Sequence, residues 1–169
     1  MHRNIVLIGF MGSGKSTLAK ILNKDLGWEV VSTDDFIQQS EGKRIADIFK
    51  EFGEKYFREL EHKVVVELSL RQRLIIDCGG GVVLNQDNIQ ALKRNGTIFY
   101  LTCQAEEIFR RVQMQPKRPL LDVPEPLLKI KELLKTRQPY YEQADVTLDT
   151  TDGDLHRVAM ELLKYVNKQ

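Results

Sequence analysis

A glycine-rich turn between a short apolar run and an amphipathic stretch constrains the fold of this chain more than any other feature. The turn reads GFMGSGKS at residues 9–16 and matches the pattern G-x-x-x-x-G-K-[S/T] at every fixed position. The apolar run at residues 5–9 predicts a buried strand, and residues 15 to about 26 predict a helix. A glycine-rich turn in this setting surrounds phosphate groups with backbone amides and a helix N-terminus. The sequence therefore predicts a phosphate loop that binds a nucleoside triphosphate.

The residues of this phosphate loop (residues 9–16) have different expected roles. Gly9, Gly12 and Gly14 can adopt backbone angles that other residues avoid, so that consecutive amides turn toward the phosphates. Lys15 supplies a mobile positive charge near the transferred phosphate, and the Ser16 hydroxyl is a candidate ligand for Mg²⁺. A chance glycine-rich turn is the alternative, but the position between a strand and a helix favours nucleotide binding.

Short apolar runs alternate with longer amphipathic stretches along the whole chain. Buried strands are predicted at residues 5–9, 29–32, 74–77, 97–101 and 146–148. Helices are predicted at residues 15–26, 34–70, 85–94, 106–112, 127–143 and 155–166, with breaks near Gly42 and Gly53. Apolar strands separated by helices are typical of a parallel sheet covered on both faces, whose ligands bind beyond the carboxyl ends of the strands. We therefore expect one α/β domain spanning residues 1–169.

Composition restricts the classes of partner. The net charge of +1 argues against a general affinity for nucleic acid or an anionic membrane. The sequence contains two cysteines and no Cys/His cluster with metal-site spacing. It shows no signal peptide at its start and no apolar run near the ~18 residues of a membrane span. These features predict a cytoplasmic protein that binds anions through a few placed groups.

Acidic residues follow two of the predicted strands and are candidates for metal binding and catalysis. Asp34 and Asp35 come after the second strand, and Asp77 ends the third. An acid at a strand end beside a phosphate loop commonly supports Mg²⁺, although Asp is also a frequent turn residue. Asp34 could instead cap the helix that begins there, and Asp35 could take over that capping. The sequence leaves capping and catalysis open for Asp34.

Three consecutive glycines and three arginines are candidates for an acceptor site. Gly79-Gly80-Gly81 follow the third strand, where a substrate could approach the backbone or the chain could simply turn. Convergence of Arg58, Arg118 and Arg137 would bind an anionic acceptor, since a guanidinium can bind a carboxylate or phosphate through two hydrogen bonds. Most arginines are solvated surface charges. Arg118 is the strongest candidate, because the proline-rich segment at residues 113–126 is expected to form a mobile lid.

Taken together, these motifs resemble those of the shikimate kinases, over nearly the whole chain. The resemblance is carried by the phosphate loop, Asp34, Phe57-Arg58 with Glu61, the glycine triplet, Arg118-Pro119-Leu120-Leu121 and Arg137-x-x-x-Tyr141. It implies ATP-dependent phosphorylation of the 3-hydroxyl of shikimate, a step toward chorismate and the aromatic amino acids. It also implies a three-layer α-β-α fold with a five-stranded parallel sheet, order 2-3-1-4-5, and a lid at about residues 113–126. We expect a monomer that binds shikimate and ATP, with Mg²⁺ as cofactor.

The resemblance implies a role for each matching residue. The implied ATP-binding residues are Gly12, Ser13, Gly14, Lys15, Ser16, Thr17, Arg110 and Arg118, with Arg110 packing against adenine. The implied shikimate-binding residues are Asp34, Arg58, Gly80, Gly81 and Arg137. The implied catalytic residues are Lys15, Asp34 and Arg118. Asp34 would draw the proton from the attacking hydroxyl, and the other two would stabilise the moving phosphoryl group.

One position departs from the family pattern. Many members carry Asp-x-Asp after strand two, whereas this chain has Ser32-Thr33-Asp34, so the first acid is missing. Position 77, often small or hydroxylated in the family, is Asp here. We therefore hypothesise that Ser16 and Asp77 form the Mg²⁺ site, with the acidic support moved from strand two to the end of strand three.

Two other functions share part of this pattern. A gluconate-type kinase would have the phosphate loop but would not need Arg58 and Arg137 beside the glycine triplet, although gluconate also carries a carboxylate. A nucleotide-binding regulator without catalysis would explain the missing acid at Ser32, although the residues for phosphoryl transfer are all present. A nucleic-acid motor is disfavoured, because the chain has no basic stripe.

Overall fold

The computed structural model describes residues 3–114 and 119–167. The strands in these ranges are β1 (Asn4–Ile8), β2 (Glu29–Ser32), β3 (Leu74–Asp77), β4 (Gly96–Thr102) and β5 (Val146–Asp149). The helices are α1 (Lys15–Leu26), α2 (Thr33–Glu41), α3 (Ile45–Leu70), α4 (Gln86–Asn95), α5 (Ala105–Gln113), α6 (Pro126–Tyr141) and α7 (Leu155–Val166). Short 3-10 turns lie at Val82–Leu84 and Pro119–Leu121.

The strands form one parallel sheet in the order β2-β3-β1-β4-β5, which confirms the expected topology. Strand β1 is central, and all five of its residues are buried. Its neighbours β3 and β4 pair with it in register through Leu7, which lies opposite Asp77 on one side and Phe99 on the other. The carboxyl ends of β1, β2 and β3 therefore meet at one edge of the sheet, beside the phosphate loop.

Alternate residues of the strands pack on opposite faces of the sheet. Val6 and Ile8 of β1 belong to a buried cluster with residues of α3 and α4. Ile5 and Leu7 belong to a second cluster, with residues of α1 and α7. Because side chains alternate along a strand, a strand with helices on both faces is apolar at every position. The two clusters confirm the three-layer arrangement that the continuous apolar runs predicted.

The helix breaks predicted at two glycines are confirmed. Gly42 ends α2 in the left-handed conformation, with φ 63°, and Gly53 interrupts α3 with φ 81° and ψ 174°. Such angles are readily adopted only by glycine. Across the described part of the chain, no helix is both long and apolar enough to span a bilayer.

The proline-rich segment predicted as a lid is only partly within the described residues. Residues 115–118, which include Arg118, lie outside them. The remainder contains the 3-10 turn Pro119–Leu121, and the mobile lid stays a prediction. Leu121 is buried in a cluster with Ile108 of α5 and Ile130 of α6. Leu121 therefore anchors this turn against the two helices that flank the segment.

Candidate active site

A cavity of about 740 Å³ opens at the carboxyl ends of β1, β2 and β3. The predicted site residues that line it are Gly12, Gly14, Lys15, Ser16, Thr17, Asp34, Asp77, Gly80 and Arg110. Met11 of the phosphate loop also lines it. Four further predicted residues are not part of its lining: Ser13 and Gly81 are chain neighbours of lining residues, Arg137 donates to the Gly80 carbonyl, and Arg58 lies against Gly81. Ligands of parallel sheets bind at this position.

The phosphate loop is held in shape through its carbonyl groups. Arg111 Nη1 donates a hydrogen bond to the Gly12 carbonyl at 3.2 Å, and Thr150 Oγ1 donates to the Ser13 carbonyl at 2.8 Å. Gly12 and Gly14 have φ 77° and 96°, angles open to glycine. A loop whose carbonyls are held by other residues is preorganised and keeps its amides available for an anion. Sequence reasoning missed Arg111 and Thr150, because only the fold brings them to the loop.

The side chain of Lys15 is folded against the same loop. Its Nζ donates to the carbonyl oxygens of Gly9 at 2.9 Å and Phe10 at 3.1 Å, and the residue is buried. The ammonium group therefore lies against the first two residues of the phosphate loop. From this position it can interact with phosphate oxygens, as the motif predicts.

Ser13 contributes its backbone rather than its side chain to this loop. Its Oγ is buried and finds no hydrogen-bond partner within the described residues. A buried hydroxyl without a partner costs about 1–3 kcal/mol of stability. The hydroxyl also lies on the side of the loop away from the cavity, close to Gly9.

We therefore expect Ser13→Ala to stabilise the protein without weakening ATP binding. The free energy of unfolding should rise by about 1 kcal/mol, because the substitution removes an unpaired buried hydroxyl. Thermal unfolding should show a midpoint about 2–4 °C higher. A lower midpoint, or a raised KM for ATP, would mean that the hydroxyl has a partner or faces the nucleotide.

The N-terminus of α2 resolves the capping question at Asp34. Ser32 Oγ accepts a hydrogen bond from the Asp35 amide at 3.2 Å, so Ser32 caps the helix. Neither Asp34 nor Asp35 is the cap, so the capping alternative that the sequence left open is excluded. Ser and Asp are both strong caps, and the chain enters the helix one residue earlier than expected. The Asp34 carboxylate instead faces the cavity.

Each glycine of the triplet lies against a different side chain of the predicted site. A Cβ on Gly79 would collide with the Asp34 carboxylate, and one on Gly81 would lie 2.6 Å from both terminal nitrogens of Arg58. Gly80 accepts a hydrogen bond from Arg137 Nη1 at 3.3 Å. The triplet thus brings together side chains from α2, α3 and α6. Close approach, rather than a flexible turn, explains the glycines at positions 79 and 81.

Arg58 is oriented by a buried carboxylate. Its Nη1 donates to Glu61 Oε2 at 2.8 Å, and the Glu61 side chain is 1% exposed. Burial raises the pKa of Glu61 in spite of the ion pair, while the nearby charges of Arg58 and Arg137 lower it. The charges of Arg58, Arg137 and Asp34 all shift the pKa of this one carboxylate, so the predicted acceptor residues lie near one another. Positive charge at this end of the cavity suits an anionic substrate.

A hydroxyl and a carboxylate form a close pair at the base of the cavity. Ser16 Oγ donates to Asp77 Oδ2 at 2.5 Å. In the sheet register Asp77 lies directly opposite Ser32, the position of the missing acid. Within the described part of the chain, no three His, Cys, Asp or Glu side chains cluster as metal ligands. A metal here would therefore depend on a few protein oxygens together with the nucleotide phosphates, which is the usual arrangement for Mg²⁺.

Two neighbouring arginines of α5 have different surroundings. Arg110 is 65% exposed and pairs with Glu107 at 2.7 Å. Arg111 is more buried and binds Glu107, Gly12 and Thr150 together. Hydrogen bonds from both guanidinium groups lower the pKa of Glu107 to about 2, and the hydrogen bond from Arg110 has the larger effect. Arg110 is therefore the more accessible of the two for a ligand, and Arg111 is bound to the loops that shape the cavity.

Cys78 lies between Asp77 and the glycine triplet and lines the cavity, but its side chain is buried. Burial raises the pKa of its thiol well above the ordinary value. Since the thiolate is the nucleophilic form, burial and a raised pKa disfavour reaction of this cysteine at neutral pH.

Comparison with known proteins identifies the family to which this arrangement belongs. A sequence model described as shikimate kinase matches residues 11–167. The shikimate kinase of Thermodesulfovibrio yellowstonii is 42% identical over 162 residues, which are 96% of this chain and 94% of that protein. That of Caldanaerobacter subterraneus is 41% identical, over 96% of this chain and 95% of its own. A solved shikimate kinase from Acinetobacter baumannii, in complex with shikimate, has a TM-score of 0.92 and 36% identity, covering 99% of this chain and 94% of its own. The chain belongs to the shikimate kinase family.

Proposed function

We propose that this cavity is the site at which the chain phosphorylates the 3-hydroxyl of shikimate with ATP, a step toward chorismate and the aromatic amino acids. The observation that carries the proposal is the meeting of two half-sites at the carboxyl ends of β1, β2 and β3. The phosphate loop supplies the donor half. The glycine triplet, with Asp34, Arg58 and Arg137 against it, supplies the acceptor half.

The donor half binds and stabilises phosphate charge. The amides of the phosphate loop and the N-terminus of α1 would hold the β- and γ-phosphates, with Lys15 beside the transferred group. Arg110, being exposed at the cavity wall, is the proposed contact of the adenine ring. Arg118 lies outside the described residues, and we retain for it the role of a second cation on the moving phosphoryl group.

The acceptor half binds and orients shikimate. Arg58 and Arg137 would hold its carboxylate, with the backbone of Gly80 and Gly81 against the ring. Asp34, half-buried beside Gly79, would accept the proton of the attacking hydroxyl. Phosphoryl transfer requires little covalent chemistry from the protein, so positioning and charge account for most of the catalysis.

The Mg²⁺ that the reaction calls for fits the pair formed by Ser16 and Asp77. A hydroxyl and a carboxylate are hard oxygen donors of the kind this ion prefers, and they lie at hydrogen-bond distance at the cavity floor. Mg²⁺ neutralises charge on the β- and γ-phosphates when bound. Ser16 would be the direct ligand, and Asp77 would supply the acidic support usually placed after strand two.

A coupled assay of ADP release tests the proposed substrate. Turnover is measured with shikimate, with gluconate and without an acceptor, at saturating ATP and Mg²⁺. We expect ADP release that depends on shikimate alone. ADP release with gluconate would favour a carbohydrate kinase. If neither shikimate nor gluconate stimulated ADP release, the acceptor assignment would be contradicted.

The single-domain organisation, the monomeric state and the cytoplasmic location stay predictions.

Removing the guanidinium of Arg58 should weaken shikimate binding selectively. We expect Arg58→Ala to raise the KM for shikimate about ten- to a hundredfold, as for a lost charge-assisted hydrogen-bond pair. The KM for ATP should change little. Arg44→Ala is the matched control, because Arg44 lies at the start of the same helix with its side chain 81% exposed. Equal increases in both KM values would contradict a carboxylate-binding role.

A further inference from the structure

Helix α6 reaches the glycine triplet through a second side chain besides Arg137. Tyr141, the last residue of α6, is fully buried, and its hydroxyl donates to the Gly80 carbonyl at 2.7 Å. Arg137 Nη1 donates to the same oxygen at 3.3 Å. The two residues are four apart, so they lie on one face of the helix. One carbonyl of the triplet therefore accepts two hydrogen bonds from one helix.

The ring of Tyr141 is fixed independently of its hydroxyl. It stacks on Tyr100 of β4 with a centroid separation of 4.9 Å and an interplanar angle of 8°. Burial raises the pKa of Tyr141 to about 12, so the hydroxyl stays protonated and keeps its proton to donate at neutral pH. The stacked ring holds this donor in place against Gly80.

The Gly80 carbonyl is part of the peptide group that links Gly80 to Gly81. Because a peptide is planar, fixing this oxygen also fixes the direction of the Gly81 N–H. A carbonyl that accepts two hydrogen bonds is polarised, which makes the following N–H a stronger donor. Gly81 is the glycine that lies against Arg58. The hydroxyl of Tyr141 thus acts on the peptide at the centre of the acceptor half-site.

We infer that Tyr141 is a positioning residue for shikimate. Its hydroxyl fixes the peptide group between Gly80 and Gly81. Because Arg137 donates to the same Gly80 carbonyl, the hydroxyl also helps to fix the guanidinium of Arg137. The inference rests on the proposed function, since it names a further residue of the same acceptor half-site. Tyr141 is not among the residues that line the cavity. It also ties the site to α6, the helix that follows the lid segment.

Tyr141→Phe tests this role, because the phenylalanine keeps the ring and its stacking and removes only the donor. We expect the KM and the calorimetric Kd for shikimate to rise about three- to tenfold, the equivalent of one lost hydrogen bond. The KM for ATP should stay within about twofold of the wild-type value, which is less than the change expected from the loss of one hydrogen bond. Tyr100→Phe is the matched control, since it removes a phenolic hydroxyl from the partner ring. Its shikimate constants should equal those of the wild type.

The outcomes separate this inference from the proposed function. A lower unfolding midpoint for Tyr141→Phe with unchanged shikimate constants would overturn the positioning role and leave a structural one. So would equal changes for both substrates. A double-mutant cycle with Arg137→Ala should be non-additive, since both side chains bind one carbonyl; full additivity would also overturn the inference. Absence of shikimate-dependent ADP release from the wild type would overturn the proposed function and this inference together.

Discussion

Asp34→Asn is expected to lower kcat by a factor of about 10²–10⁴, the usual contribution of a positioned general base. The Asp34 carboxylate lies at the cavity wall against Gly79. An amide of the same size keeps this packing and cannot accept the proton of the attacking hydroxyl. Binding of ATP should persist, because the phosphate loop is not altered. Single-turnover measurements with pre-bound ATP would separate the chemical step from nucleotide binding.

Asp35→Asn is the matched control for this substitution. Asp35 is the next residue of the same helical turn, is exposed, and contributes its backbone amide to the cap. Its kcat should equal that of the wild type. Loss of ATP binding in Asp34→Asn, with Asp35→Asn unaffected, would assign Asp34 to the metal or to folding instead. A kcat within about twofold of the wild type would exclude a role as base, for which far larger effects are usual.

The parts of this fold that could be read from the sequence are those decided by local pattern. Apolar runs alternate with amphipathic stretches, and both helix breaks fall at glycines whose backbone angles the structure bears out. The phosphate loop is contiguous in sequence, so its glycines and Lys15 could be assigned together. The strand order was implied by the family resemblance rather than by local pattern, and it is confirmed.

The acceptor site could be assembled only in part, because its groups come from distant segments. Composition and spacing gave no means of pairing Gly81 with Arg58 or Gly80 with Arg137; the family resemblance supplied those residues, and the structure gives the contacts. Arg111 carried no sequence signal, and Tyr141 entered only as the end of the Arg137-x-x-x-Tyr141 motif, without a role of its own. One lies on an ordinary amphipathic helix, and the other is a buried aromatic of the kind that fills cores.

The helix cap at Ser32 shows why local rules alone were ambiguous there. Three consecutive residues, Ser32, Thr33 and Asp34, are all favourable caps, and the chain uses the first. The choice leaves Thr33 Oγ1 to accept from the Gly79 amide at 2.9 Å. It also turns the Asp34 carboxylate toward the cavity. The cap at Ser32 is therefore the one that is compatible with the contacts of Thr33 and Asp34 with Gly79.

Asp77→Asn is expected to raise the Mg²⁺ concentration for half-maximal turnover about ten- to a hundredfold, as loss of a supporting group around a metal typically does. Its carboxylate binds the Ser16 hydroxyl at 2.5 Å and lies opposite Ser32 in the sheet register. Ser32→Ala should leave the Mg²⁺ requirement unchanged and lower stability by about 0.5–2 kcal/mol, because it removes the helix cap. Titrating turnover with Mg²⁺ and measuring thermal unfolding for each variant separates the two effects.

The register between β2 and β3 permits a direct rescue. In Ser32→Asp/Asp77→Asn the acid returns to strand two, across the strand pair from its present position. Asp is also a favoured helix cap, so α2 should remain capped. We expect the double variant to recover most of the Mg²⁺ affinity lost in Asp77→Asn, because either strand end can present a carboxylate beside the phosphate loop. A greater Mg²⁺ requirement in Ser32→Ala than in Asp77→Asn would contradict the exchange. Failure of the rescue would mean that Asp77 acts through Ser16 alone and that the acid cannot be supplied from strand two.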